Sequence, residues 1–266
     1  MGARRVKTGG PGAHAGDGET NALATEAFRV AAKRMRDAGF DVGGRIEVLV
    51  DPALEVGGYS IRGEGDRFRI VASGRAVRAG RLDGLLLHEM SHIYRMRTNH
   101  PSHDSKIIEE ATSRVAEGVV TEDYQRKILH DLVNNVEDLY ADDIAFPIIR
   151  KSGLMKDTQV SALFQEWVED RPAESQDATR VRWENAWSLA NNARAIAEME
   201  RQGVADTGGR AAALNDRLVS KMGPAARGQF EHLRNLLANL PEKMSGEDYR
   251  RLLIDYLSKF VETAAG

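Results

Sequence analysis

The chain has no cysteine. Disulfides are therefore excluded, and so is every nucleophile or metal ligand that needs a thiolate. Any zinc site must use histidine and carboxylate, which suits a catalytic centre better than a Cys-rich structural one. A long apolar run is also missing: no stretch approaches the roughly 18–20 residues that span a bilayer. Positive charge is not in excess, since 37 Lys and Arg stand against 40 Asp and Glu, a net charge of −3. No global field therefore favours nucleic acid or an anionic membrane surface. Met1 to Thr20 lacks the apolar core of a signal peptide. Its Gly, Arg and small polar residues read as a disordered tail, and cytoplasmic residence is the expectation.

What remains is 266 residues, enough for one large or two ordinary domains. Asn21 to Ala38 is apolar at helical spacing and ends at Gly39. Arg45 to Val50 alternates and is β-branched, so it is a strand closed by Asp51-Pro52. Gly57–Arg62 and Arg67–Ala72 are two more strands, joined as a hairpin by Gly63-Glu64-Gly65-Asp66. A helix is predicted over Arg81–Thr98, another over Asp104–Glu117, and a long one capped by Thr121 that stops near Phe146, before Pro147. Beyond Gly153 no strand pattern occurs. Amphipathic stripes around Trp183–Ala197, Phe230–Leu240 and Tyr249–Val261 predict helices. No internal repeat is present. The division expected is a tail over 1–20, an α+β unit over 21–152 and an all-α half over 153–266.

The predicted helix at Arg81–Thr98 carries His88-Glu89-Met90-Ser91-His92. Residues four apart on a helix share a face, so His88 and His92 point the same way, one turn apart. One tetrahedral Zn²⁺ can take both imidazoles, and Glu89 beside them can act on a metal-bound water as general base. The leucines Leu85, Leu86 and Leu87 lead into the motif and predict burial there; buried imidazoles and a carboxylate need strong partners.

Two histidines need at least one more protein ligand. Arg95 and Thr98 stand where a downstream Gly and His would complete one common pattern, so that pattern fails. His100 and His103 flank Pro101 at irregular spacing and read as loop residues. The stretch Asn134-Asn135-Val136-Glu137-Asp138-Leu139-Tyr140-Ala141-Asp142 offers carboxylates instead. Asp138 and Asp142 share a face, where like charges repel unless a cation lies nearby. Ala141 lets another helix approach closely.

His88-Glu89-x-x-His92, followed by a helix bearing carboxylate-x-x-Ala-Asp, resembles the gluzincin-type zincin metallopeptidases over about residues 45–147. The run His88 to Arg95 with His100-Pro101-Ser102-His103 after it is similar to uncharacterised archaeal metallopeptidases. The resemblance implies a zincin-like α+β fold: a small mixed sheet, an active-site helix and a ligand helix. It implies Zn²⁺ held by His88, His92 and a third ligand, with Glu89 catalytic. Where the family has Glu this chain has Asp138, with Glu137 as the alternative, and register favours Asp138 because Asp142 then orients a ligand histidine. It also implies that an edge strand, here Arg67–Ala72, pairs with an extended peptide or protein substrate. Tyr94, Tyr140, His100 and His103 are candidates for steadying the oxyanion. The expected function is a zinc-dependent peptidase. A zincin-fold regulatory protein that captures a protein partner through residues 154–266, with little or no peptidase activity, is the alternative. Hydrolysis of a small amide at the same site is a third reading.

Overall fold

A computed structural model describes residues 15–265, with side chains from residue 21. It is an α+β protein with one three-stranded sheet and long helices. The first helix, α1 (Ala15–Asp37), starts before Asn21, so the described end of the expected tail, residues 15–20, is helical. Gly16 and Gly18 are poor helix formers and hid this turn from a reading of propensity. Residues 1–14 of that tail lie outside the described residues.

The strands are β1 (Arg45–Asp51), β2 (Gly58–Arg62) and β3 (Arg67–Ser73). The order is β1-β3-β2, with β1 parallel and β2 antiparallel to β3, so the sheet is mixed. The expectation that Arg67–Ala72 forms an edge is thus corrected: β3 is the central strand and β2 an edge. Arg67 and Arg69 suggested exposure, yet they mark only the solvent face, where Arg69 pairs with Glu47 of β1 at 2.8 Å. Phe68, Ile70, Val71 and Ala72 are buried. Gly58 lets the motif helix lie against β2: a Cβ there would sit 2.9 Å from the Val71 carbonyl and 3.1 Å from the Leu85 side chain.

A short α2 (Gly74–Arg78) leads to the motif helix α3 (Leu82–Arg97). A 3-10 turn, Pro101–His103, precedes α4 (Ser105–Ala116), whose first N–H groups are capped by Asp104. Then comes α5 (Asp123–Lys151), 29 residues long. Its cap is Glu122 rather than Thr121; Gln125 accepts both their backbone N–H groups at 2.8 and 3.0 Å. The helix also runs through Pro147 instead of stopping before it. Proline removes one helical hydrogen bond, but Phe146, Ile148 and Ile149 are buried in the apolar core and hold the last turn in place. The remaining helices are α6 (Asp157–Glu166), α7 (Ala178–Gln202), α8 (Arg210–Met222), α9 (Ala226–Ala238) and α10 (Gly246–Ala265).

Helix α3 is two-sided. Leu86, Leu87, Met90 and Ile93 are fully buried in the core beside the sheet and α1. His88, His92 and Arg95, spaced by four and three, bond residues of α5. The core does not divide at residue 152. The first half of α5, including Leu132, Val136 and Leu139, belongs to one apolar cluster with α4, α7, α9 and α10. Its second half belongs to the cluster of the sheet, α1, α3 and α6.

A chain cut to residues 21–152 would therefore leave the inner face of α5 bare. Each large apolar side chain forgoes about 1.5–3 kcal/mol when left exposed, against a usual total stability of about 5–15 kcal/mol. Such a fragment should show no cooperative thermal transition by circular dichroism, while the full chain does. A sharp two-state transition of the fragment would show that the N-terminal part folds alone.

Candidate metal centre

Three donor atoms converge where α3 faces α5. His88 Nε2 and His92 Nε2 are 3.1 Å apart. Asp138 Oδ1 lies 3.6 Å from the first and 3.3 Å from the second. A tetrahedral zinc with bonds of about 2.0–2.1 Å has ligand–ligand edges of about 3.3–3.4 Å. The triangle therefore has the size that such an ion needs, and these three residues form a group that could hold a metal. About a quarter of the His88 and Asp138 side chains reaches solvent, 26% and 27%, which leaves a fourth position accessible.

Both imidazoles are held by their other nitrogens. His88 Nδ1 is 2.7 Å from Asp142 Oδ1. A carboxylate oxygen only accepts, so the Nδ1–H donates and the Nε2 lone pair faces the triangle. His92 Nδ1 is 2.8 Å from His103 Nε2. Two imidazole nitrogens at 3.1 Å and a carboxylate repel one another unless a cation sits among them, whether a proton or a metal ion. The titration of the isolated side chains shows this demand. Burial alone would lower the His88 pKa, but Asp142 and Asp138 outweigh it and hold it well above its ordinary value. Burial alone would raise that of Asp138, but it is held well below its ordinary value, chiefly by the Arg194 guanidinium beside it.

Helix α7 closes the far side. Arg194 Nη2 donates to Asp138 Oδ2 at 3.2 Å, leaving Oδ1 to the histidines. Its Nη1 donates to Asn135 Oδ1 at 2.9 Å, and its guanidinium stacks on Trp167 at 4.8 Å. Such a fork and stack need arginine; lysine has one point charge and no plane. Below Arg194, Glu198 is fully buried, and its Oε2 has no hydrogen-bond partner among the described residues. Burial and the nearby Asp142 push its pKa well up.

The remaining candidates sort as follows. Glu89 is buried beside His88, and among the described residues no hydrogen bond occupies its carboxylate. Glu137 stays out of the triangle. It lines a cavity of about 460 Å³ with Met96, His103, Ile108, His130 and Val133, and burial with Asp138 beside it pushes its pKa up to about 8. His103 lines that cavity while bonding His92, so the cavity adjoins the centre. The loop reading of His100 and His103 holds for His100, which caps a 3-10 turn, while His103 lies within that turn; together they build a support behind His92. Tyr140 is fully buried with its hydroxyl on the Pro241 carbonyl, and Tyr94 packs on Phe40, so neither touches the triangle. Sequence reasoning missed Arg194 altogether. The stripe Arg194, Glu198, Gln202 at spacing of four was visible, but nothing local says which helix it faces.

Fold and site together define an α+β protein in which the two histidines of an HExxH helix face an aspartate of a second helix. The chain belongs to the family described as "Family of unknown function (DUF5781)", which matches residues 21–262. No curated protein and no solved structure matches it.

Glu198 supplies a pH test. Its folded pKa lies above the unfolded value of about 4.3. Above that pH the folded state therefore binds a proton that the unfolded state has released. Stability is full below about 4.3 and falls as pH rises toward the folded value. Glu198→Gln removes this dependence, so the variant should melt above the wild type at pH 8 and change less with pH between 5 and 8. Parallel melting curves for the two proteins would show that Glu198 is ionised in the fold.

Proposed function

We propose that this chain is a zinc-dependent metallopeptidase of zincin-like plan. The observation that carries the reading is the triangle of His88 Nε2, His92 Nε2 and Asp138 Oδ1, sized for one tetrahedral ion and flanked by Glu89. Three protein ligands with an accessible fourth position are the donor pattern of catalytic zinc rather than structural zinc. Bound there, zinc would polarise a carbonyl and make a bound water acidic near neutral pH.

The chain's own residues supply the rest. Glu89, whose carboxylate has no competing hydrogen-bond partner among the described residues, takes the proton of the attacking water and passes it to the leaving amine. Asp142 fixes the His88 tautomer and ring plane. Arg194 holds Asp138 so that one carboxylate oxygen stays turned to the histidines. The cavity lined by His103 and Glu137 gives a side chain of the substrate room beside the centre. An extended peptide would pair with the exposed edge β2, whose Tyr59 and Ile61 are 41% and 43% exposed.

Purified protein should carry one zinc per chain and cleave members of a peptide library, with cleavage abolished by a chelator and restored by zinc. Glu89→Gln should keep the metal and lose about 10²–10⁴-fold in rate, the usual contribution of a general base. Asp138→Ala should lose most of the metal, because two protein ligands remain. Asp142→Ala should bind it about 10–100-fold more weakly, and Glu137→Ala should bind it normally. Asp138→Glu should weaken binding, because the shorter side chain already closes the triangle. Full activity in Glu89→Gln, or zinc retained by Asp138→Ala and lost in Glu137→Ala, would overturn the assignment.

A further inference from the structure

Behind His92 runs a continuous chain of hydrogen bonds that ends on the C-terminal half of the protein. His92 Nδ1 meets His103 Nε2 at 2.8 Å. His103 Nδ1 meets Ser102 Oγ at 2.7 Å, and Ser102 Oγ meets His100 Nδ1 at 2.7 Å. His100 Nε2 then meets the main-chain carbonyl of Glu242, in the loop between α9 and α10, at 3.0 Å.

The chain has one direction. A carbonyl can only accept, so His100 must carry its proton on Nε2. Its Nδ1 is then a bare lone pair, and the Ser102 backbone N–H, 3.3 Å away, donates to that same atom. The Ser102 hydroxyl therefore donates to His100 Nδ1 and accepts from His103 Nδ1–H. His103 Nε2 is left as an acceptor, so His92 donates from Nδ1 and turns the lone pair of Nε2 toward His88 and Asp138.

The anchor is itself fixed. Arg95, 3% exposed, reaches the Glu242 carboxylate with two nitrogens at 2.6 and 2.8 Å. Arg201 of α7 donates to the carbonyls of Leu237, Ala238 and Leu240 at 3.1–3.3 Å, tying down the end of α9. The Tyr140 hydroxyl donates to the Pro241 carbonyl at 3.2 Å. Three elements thus hold one loop whose carbonyl orients a side chain at the centre.

We infer that the Glu242 carbonyl sets the tautomer of His92 through His100, Ser102 and His103, and that these three are positioning residues for the centre. The C-terminal helices are then part of the site rather than an appended module. This rests on the metal reading only for its consequence; the tautomers follow from the anchor whether or not metal is bound.

The test is long-range ¹H–¹⁵N NMR of histidine-labelled full-length protein, zinc-free and zinc-loaded, at pH 7.5. His100 should be the Nε2–H tautomer, and His103 and His92 the Nδ1–H tautomers, in both states. Ser102→Ala should move His103 to a mixture of tautomers and weaken zinc, measured by competition with a chelating dye, about 10-fold or more. Ser102→Thr, which keeps the hydroxyl, should restore both. Should Ser102→Ala fail to fold, His100→Phe keeps the ring against Tyr140, removes both nitrogens, and should shift His103 in the same way. His103 found as Nε2–H in the wild type overturns the inference without any variant. So does a His103 tautomer and a zinc affinity that neither break in the chain moves. Tautomers as stated in a protein that binds no zinc would support the relay and remove the metal reading instead.

Discussion

Two imidazole nitrogens and a carboxylate oxygen meet within 3.6 Å between α3 and α5. Like acceptors brought together in a partly buried place repel, and only a cation resolves the repulsion. Much of the surrounding structure is there to keep that meeting in place. Each donor is held from behind by a different group: His88 by Asp142, His92 by His103, Asp138 by Arg194. Together they leave each donor few ways to turn away, which is what preorganisation of a site requires.

The layering of helices follows from the same constraint. Polar stripes on α3, α5 and α7 face one another through the middle of the protein, so the apolar residues must be buried elsewhere. They form two clusters, one by the sheet and one among α4, α9 and α10, with α5 and α7 passing through both. A polar seam between two cores is expensive unless every group in it is paired. Most are: Gln202 donates to the Asp142 carbonyl at 3.3 Å and to Glu198 Oε1 at 3.2 Å. The exposed outer face of Glu47 and Arg69 on the sheet contributes little by comparison, since such pairs are screened by solvent.

Glu198 is the exception that shows how the seam is balanced. A fully buried carboxyl next to Asp142 cannot be charged without adding a second anion to a crowded region. Kept neutral, it leaves the Arg194 charge to Asp138 and Asp142, whose nearest oxygens lie 3.2 and 3.9 Å away. The centre thereby has one arginine for two aspartates, an anionic balance that suits a divalent ion.

Much of this could be read along the chain. The 3.6-residue period placed His88 with His92 and Asp138 with Asp142 on common faces, because the spacing of side chains on a helix is a local property. Alternation and turn residues located the three strands and the hairpin. The sequence by itself therefore determined which groups could act together within an element. Only the tertiary structure decided which elements meet. It placed β3 at the centre of the sheet, carried α5 through Pro147, brought Arg194 onto Asp138 from 56 residues away, and set the Glu242 carbonyl against His100 across 142 residues. It also set Asp138 rather than Glu137 against the histidines, since the two differ by about 100° around α5 and only the helix crossing selects between them. Such contacts leave no periodic mark, because the partner of a side chain on another helix is fixed by how whole helices pack and not by any neighbour in sequence.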